Sequence, residues 1–331
     1  MPIHPTSALC RRSVLAAAFA GIAAAMPAFA ADPFPAKEIR FIVPWNAGGS
    51  NDIAARVIAD VLGKEGIRVI VDNQPGATGS IGLQKVATAA PDGYTIGMGT
   101  SSTLALIAQG LTTLRNDQFT PIARVTQDPL TLLVPAASPY GTLESFIDHL
   151  KKNPGKVSVG TPGSNNLNHI FAVMTGRVAG VDVIAVPYTG GSKVIADLAG
   201  KQIDAAVLKP SESKAQIDGG LVKPIGVFGN ARLHALPDVP TFKEKGYDVF
   251  PYGPLVQMAY IVAPAKTPAP VRARLIEIFG KAIQSPQFRT SAEQGGAVVD
   301  NLTGAALGKE IDIVQKSLND VGKKVFVEEK K

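Results

Sequence analysis

The chain has 331 residues, a formal net charge of +6 and one cysteine, Cys10. Its charges are interspersed and no basic run carries interleaved aromatics, which excludes a nucleic-acid partner; the modest basic excess suits anionic ligands. Cys10 lies ahead of an apolar N-terminal stretch and is expected to leave with it, so disulfides, thiolate catalysis and zinc–thiolate sites are excluded from the mature protein.

That stretch begins the chain. Arg11 and Arg12 precede an apolar run from Val14 to Ala25, and Ala28-Phe29-Ala30 has the small-x-small form of a cleavage site. This pattern predicts a secretory signal peptide over residues 1–30, cut after Ala30. The run is shorter than the roughly 20 apolar residues that span a bilayer. The paired arginines leave both the general and the twin-arginine export routes open. Losing Arg11 and Arg12 lowers the net charge from +6 to +4. No long apolar segment follows, so a soluble periplasmic protein is expected.

Strands and helices then alternate. "EIRFIV" reads as a strand, residues 52–63 as a helix, "RVIVDN" as a strand, "IGLQKVATAA" as a helix, and "YTIGMG" as a strand after the turn "PDG". The middle repeats this grammar through "KVSVG", "VDVIAVPY", "QIDAAVL" and "VKPIGVFG", each of the first three followed by a helix. Such alternation implies βαβ units and parallel sheets, with right-handed crossovers that place the strand-to-helix loops along one edge. Two extended segments, "DPLTLLVPAASPYGT" and "LVQMAYIVAPAKTP", read as crossings between two halves. The stretch from Val271 reads as helices with one strand near "GAVVD", packing back on the first half. The predicted fold is α/β, with two doubly wound lobes joined by two crossing segments: residues 31–130 plus 262–331 form lobe 1 and residues 131–261 form lobe 2.

In open parallel sheets ligands bind beyond the carboxyl ends of the strands. The residues there are Trp45, Asn46, Ala47, Gly48, Gly49, Ser50 and Asp52 after the first strand, Gly76, Ala77, Thr78 and Gly79 after the second, and Thr100 and Ser101 after the third. The second half supplies Thr161, Ser164, Asn165, Asn166 and His169, then Tyr188 and Thr189, then Lys209. These loops are rich in Gly, Ser, Thr and Asn and nearly free of acids, and each leads into a helix. Helix N-termini carry unpaired N–H groups and partial positive charge, and glycines let the backbone form concave N–H nests for an anion. Ser50 or Asn51 is expected to cap the first helix. Trp45 and Tyr188 are placed either to stack on a ligand or to wedge a lobe. Lys209 is the one cation at these strand ends. Any single βα turn needs such residues anyway; six on one edge point to a small polar ligand.

Catalytic patterns are missing. Neither GxGxxG nor GxxxxGK[ST] follows the first strand and no GxSxG occurs, so no nucleotide cofactor or serine elbow is expected. His149, His169 and His234 have no metal-ligand spacing, so no metal is expected.

With these loops in view, "RFIVPWNAGGSNDIAAR", "VDNQPGATGSIG", "AAPDGYTIGMGTSS", "GTPGSNNLNHI", "VPYTGGSKVIADLAGKQID" and "LPDVPTFKEKGY" occur in the order and spacing of one family. The chain resembles the solute-binding proteins of tripartite tricarboxylate transporters, also called the Bug family, over essentially all of the mature sequence. The resemblance implies a monomeric periplasmic flytrap, without cofactor or catalysis, that captures a small carboxylate and meets membrane transporter subunits transiently. It implies that Asn46 to Asp52 and Gly76 to Ser80 hold a carboxylate through N–H groups, small side chains and bridging water. Citrate-like acids, dicarboxylates, aromatic carboxylates and acidic amino acids all fit. Two departures stand out. Leu208-Lys209 replaces a position that is often acidic, and "GSNN" replaces a "GNGT"-like stretch. The lysine suggests a second anion or acceptor at the distal end of the ligand, as in a dicarboxylate. Two alternatives remain: a sensing protein of the same fold that signals to a membrane sensor, and an exported hydrolase acting on a carboxylated substrate.

Overall fold

The alternating pattern folds into two five-stranded sheets. The computed structural model describes Met1 and residues 34–327; apart from Met1, the expected signal peptide lies outside the described residues. In chain order the first part runs β1 (Ile39–Val43), α1 (Ser50–Lys64), β2 (Val69–Asn73), α2 (Ser80–Ala87), β3 (Thr95–Thr100), α3 (Ser101–Ala108) and β4 (Phe119–Gln127). The middle runs β5 (Leu130–Pro135), α4 (Leu143–Lys152), β6 (Ser158–Thr161), α5 (Leu167–Ala179), β7 (Ile184–Pro187), α6 (Gly191–Ala199), β8 (Ala205–Leu208), α7 (Pro210–Asp218) and β9 (Val222–Phe228). The chain then returns through β10 (Met258–Pro264), α8 (Ala269–Ile283), α9 (Pro286–Gln294) and α10 (Gly304–Val321).

The strand orders are β2-β1-β3-β10-β4 and β7-β6-β8-β5-β9. Within them β2-β1-β3 and β7-β6-β8 are parallel. β10 and β5 run antiparallel to both of their neighbours. The sheets are therefore mixed, where βαβ alternation alone predicts parallel ones. The cause is the route of the chain. Each antiparallel strand arrives from the other lobe, enters at the carboxyl edge of the parallel strands, and so runs away from it.

The return segment packs on the first sheet. α10 buries Leu307, Ile311, Val314, Leu318 and Val321 along one face, as its period requires, and lies against β4 and α3. α8 lies on β4 and α1, with Phe279 edge-on to Phe41 at 6.1 Å. No strand forms near "GAVVD". Val298 and Thr303 make only isolated bridges, to Gln127 and Ala123. Asp300 interrupts the pairing between them, accepting the Leu302 N–H at 3.3 Å in a local turn. The second lobe centres on stacked rings, Phe171 on Phe228 at 4.6 Å and Phe228 on Phe242 at 4.4 Å. Each such pair contributes about 0.5–1.5 kcal/mol beyond its buried area. No helix among the described residues is long and apolar enough to cross a membrane.

Candidate functional site

At the start of α1 the capping residue is Gly49, with no side-chain cap, rather than Ser50 or Asn51. The difference is one of boundary: Ser50 already has helical geometry, so its hydroxyl cannot reach back to the first turn. The N–H groups of Ser50, Asn51 and Asp52 thus lie in the part of the helix that has no intrahelical acceptors. α2 and α3 also begin without side-chain caps, at Gly79 and Thr100, whereas Thr142 and Asn166 cap α4 and α5. Three uncapped helix starts gather at the carboxyl edge of the first sheet.

Asp52 organises the loop before α1. It is 2% exposed. One carboxylate oxygen accepts from the Gly48 N–H at 2.8 Å and Arg56 Nε at 3.0 Å. The other accepts from Asn73 Nδ2 at 2.9 Å and faces the Arg56 guanidinium at 2.9 Å. A carboxylate offers about four lone-pair sites, and these donors fill them. Burial alone would push the Asp52 carboxyl up, but hydrogen bonds from Arg56, Gly48 and Asn73, with the Arg56 charge, hold it below its usual value. Asn73 also donates to the Trp45 carbonyl at 3.1 Å. The loop is built by its own residues.

The second loop is strained. Gly76, Ala77, Thr78 and Gly79 have φ of 129°, 44°, 51° and 89° in succession. A left-handed residue other than glycine costs about 1–2 kcal/mol, so Ala77 and Thr78 hold this shape against their preference. Such strain concentrates at functional sites. A Cβ on Gly79 would lie 2.9 Å from the Trp45 ring, so the indole wedges loop one against loop two. The Thr103 hydroxyl donates to the Thr78 carbonyl at 3.2 Å and pins the turn from below.

At the end of β3, Thr100 is 2% exposed and its hydroxyl has no hydrogen-bond partner among the described residues. Ser101 is turned elsewhere: its hydroxyl donates to the Val256 carbonyl and accepts from the Met258 N–H at 3.2 Å, tying α3 to the second crossing.

In the second lobe the Thr161 hydroxyl donates to the Gly163 carbonyl at 2.7 Å. Asn165 has φ of 57°, and its N–H donates to His169 Nδ1 at 3.0 Å. That bond assigns the ring proton of neutral His169 to Nε2. Burial lowers the His169 pKa, which favours the neutral form. Asn166 caps α5 by accepting the His169 N–H at 3.0 Å. Ser164 and Thr189 are exposed. The Tyr188 hydroxyl meets Asp197 in α6, and burial together with that carboxylate raises its pKa.

Several side chains join the lobes, Arg177 in α5 donating to the Lys324 carbonyl at 3.1 Å among them, and two lie beside the loops or α3. Gln109 Nε2, just after α3, donates to the Asn165 carbonyl at 2.8 Å. Lys209 Nζ, from the N-cap of α7, donates to Ser50 Oγ at 3.2 Å and lies 3.5 Å from Asp128 Oδ2. Lys209, read from sequence as meeting the distal end of a ligand, thus stands at the start of α1. A mostly apolar cavity of about 440 Å³ lies elsewhere, on the first sheet among Leu104, Tyr260 and Ile311, and touches the loops through Thr103. It offers no array of N–H donors, so the loops form the candidate site. Among the described residues no cluster of His, Cys, Asp and Glu is placed to hold a metal ion.

Residues 54–319 match the family model described as "Tripartite tricarboxylate transporter family receptor", TctC. The chain belongs to this family. A Cupriavidus necator relative, "UPF0065 protein in gbd 5'region", is 34% identical over 289 residues, covering 85% of each chain. Among solved structures, "Structure of a periplasmic transporter" has a TM-score of 0.79 at 30% identity, over 88% of this chain and 98% of that one. MatC from Rhodopseudomonas palustris with bound malate has a TM-score of 0.77 at 27% identity, over 87% and 100%. The protein is a solute-binding receptor of the TctC family with two α/β lobes.

In this TctC-family receptor the first lobe gathers Trp45 to Asp52, Gly76 to Gly79 and Thr100 at one edge, and the second lobe brings Lys209 to them, while Asn165 meets Gln109 at the other end of α3. Ser101 is held by the second crossing, Asp52 is bound within the first lobe, and Tyr188 turns to α6. The sequence pattern includes Asn73 and Thr103 in its strand-end loops without singling them out, and gives no sign of Gln109 or Asp128. Asn73 ends a strand and carried the same positional signal as its neighbours. Gln109 follows a helix end and had no signal.

Proposed function

We propose that the protein captures a small carboxylate in the cleft between its lobes, in the periplasm, and presents it to a tripartite tricarboxylate-type transporter. The observation that carries this reading is the pairing of the left-handed run Gly76–Gly79 with the uncapped start of α1, wedged together by Trp45. Both are backbone N–H arrays suited to one carboxylate. Membership of the TctC family and the malate bound to MatC favour the same ligand class. Asp52 serves as the positioning residue of the first loop, and the second lobe closes over the anion without chemical turnover. Closure is a hinge motion in which binding favours the shut form. In this reading lobe 1 comprises residues 31–130 plus 262–331 and lobe 2 residues 131–261, joined by the two crossings. The signal peptide is removed after Ala30, and the receptor works as a monomer that meets membrane subunits transiently.

The test is thermal shift of the receptor purified from a periplasmic fraction, before and after denaturation and refolding, against malate, succinate, citrate, benzoate and glutamate. A ligand at about a hundred times its dissociation constant adds roughly 2.7 kcal/mol of stability. The expected result is a shift for one acid or a few, with a change in Trp45 emission and no turnover. No shift for any acid after refolding overturns the carboxylate reading.

A further inference from the structure

Lys209 is 7% exposed, yet it is weakly matched where it stands. Its ammonium carries three donor hydrogens. One reaches Ser50 Oγ at 3.2 Å, and the nearest counter-charge, Asp128 Oδ2, is 3.5 Å away and also accepts the Thr126 hydroxyl at 2.9 Å. The buried Glu212 carboxyl feels the lysine's charge as well, but it bonds to the Lys209 backbone N–H at 3.1 Å. A separation of 3.5 Å lies beyond a good charge-assisted bond. A buried cation is stabilised only when its charge is paired and its hydrogens are bonded, so this lysine retains capacity for a further anion. Ser50 is the first residue of α1, where the backbone N–H groups lack acceptors. An oxygen held by those groups lies within reach of Lys209 Nζ. The other nearby cation, Arg56, is engaged by Asp52 and Asn73.

We propose that Lys209 is a specificity-determining residue that donates, from the second lobe, to the same carboxylate that the start of α1 holds from the first. This rests on the carboxylate reading of the cleft and deepens it. Recognition of the anion is then shared by both lobes, and no second cation among the candidate loop residues awaits another carboxylate. One carboxylate suffices for capture. Asp128 competes with the ligand for the lysine, so the hinge ion pair sets how strongly an anion draws the lobes together.

The experiment is calorimetric titration of malate and benzoate, each beside its amide, malamide and benzamide, into the wild-type receptor and three variants. Lys209→Gln is expected to lower affinity for the carboxylate roughly 10- to 100-fold, the range of a hydrogen bond to a charged group, and to collapse the preference for carboxylate over amide. Asp128→Asn frees the lysine and is expected to raise carboxylate affinity. The double variant Lys209→Gln/Asp128→Asn removes the hinge ion pair as a unit, leaving Glu212, whose carboxyl burial already pushes up towards the neutral form, as the remaining acid there. It reports on the lysine even if the single variant folds poorly. If carboxylate-over-amide preference in the lysine variants equals that of the wild type, Lys209 only braces the hinge and the inference is overturned. If the wild type binds neither acid, the pair titrated is the acid of the thermal-shift series that does bind and its amide; if no acid of that series binds, the carboxylate reading falls, and this inference with it.

Discussion

The Asp128 N–H donates to the Gln257 carbonyl at 2.8 Å, bonding the two strands that cross between the lobes to each other. The hinge is thus a pair of joined strands, and motion of the lobes is expected to be rotation about this point. Away from it, Gln109 and Asn165 form a bridge across the cleft. Gln109→Ala is expected to leave thermal stability within about 0.5 kcal/mol, as for surface substitutions, and to increase the radius of gyration in small-angle scattering without ligand. An unchanged radius would show that this bond does not hold the lobes together.

Gly79→Ala tests the wedge between the two loops. The substitution places a Cβ 2.9 Å from the Trp45 ring at a φ of 89°, and the backbone alone costs about 1–2 kcal/mol. Trp45 is the sole tryptophan, so its emission maximum is expected to move together with the fall in Tm. A lower Tm with unchanged emission would place the strain elsewhere.

Asp52 links the first loop to acid stability. Its folded pKa lies below the unfolded value of 3.8. The bonds to Gly48, Asn73 and Arg56 therefore contribute stability that is full above that value and is lost as pH falls through the folded pKa. Asp52→Asn is expected to destabilise by about 1–3 kcal/mol at pH 7 and to flatten the loss of stability below pH 4. Urea midpoints across pH 2–7 for both proteins check it.

His169 gives the same sign in a higher window. Burial depresses its folded pKa below the ordinary value of 6.5, so its contribution is present above that value and is lost as pH falls through the folded pKa. Replacement by Gln, which keeps an acceptor near the Asn165 N–H, is expected to reduce the drop in Tm between pH 7 and pH 5. An identical drop in both proteins would assign it to other groups.

Thr100 carries a buried hydroxyl with no hydrogen-bond partner among the described residues. Removing an unsatisfied buried polar group recovers about 1 kcal/mol or more of desolvation. Thr100→Val is expected to raise Tm by a few degrees. A fall in Tm would reveal a partner such as an ordered water.

The loops were legible because six strand ends rich in glycine and small polar residues fall on one edge, although each alone reads as an ordinary βα turn. Gly48-Gly49 and Gly76–Gly79 could be found one strand at a time. The direction of β5 and β10 was not legible, because a strand's own residues do not record where the chain comes from. Asp52 reads as a ligand-facing acid at the start of a helix until Asn73, a neighbour only through the β1–β2 pairing, fills one of its oxygens. Lys209 and Ser50 are separated by 159 residues, so nothing local to either predicts that they meet. The sequence pattern predicts a helix from residue 52, and α1 starts two residues earlier, at Ser50, which turns an expected capping hydroxyl into a group facing the second lobe.

The matched strand orders have a consequence for how the molecule comes into being. β10, the last strand made, lies inside the first sheet between β3 and β4, and β5 lies inside the second. During synthesis the first lobe therefore has a gap in its sheet until the whole second lobe has been made. A chain cut at the first crossing would leave β4 detached from β3, with unpaired strand edges on both sides of the gap. The halves are interlocked rather than strung together, and each is expected to aggregate when produced alone and to recover its fold when the two fragments are mixed.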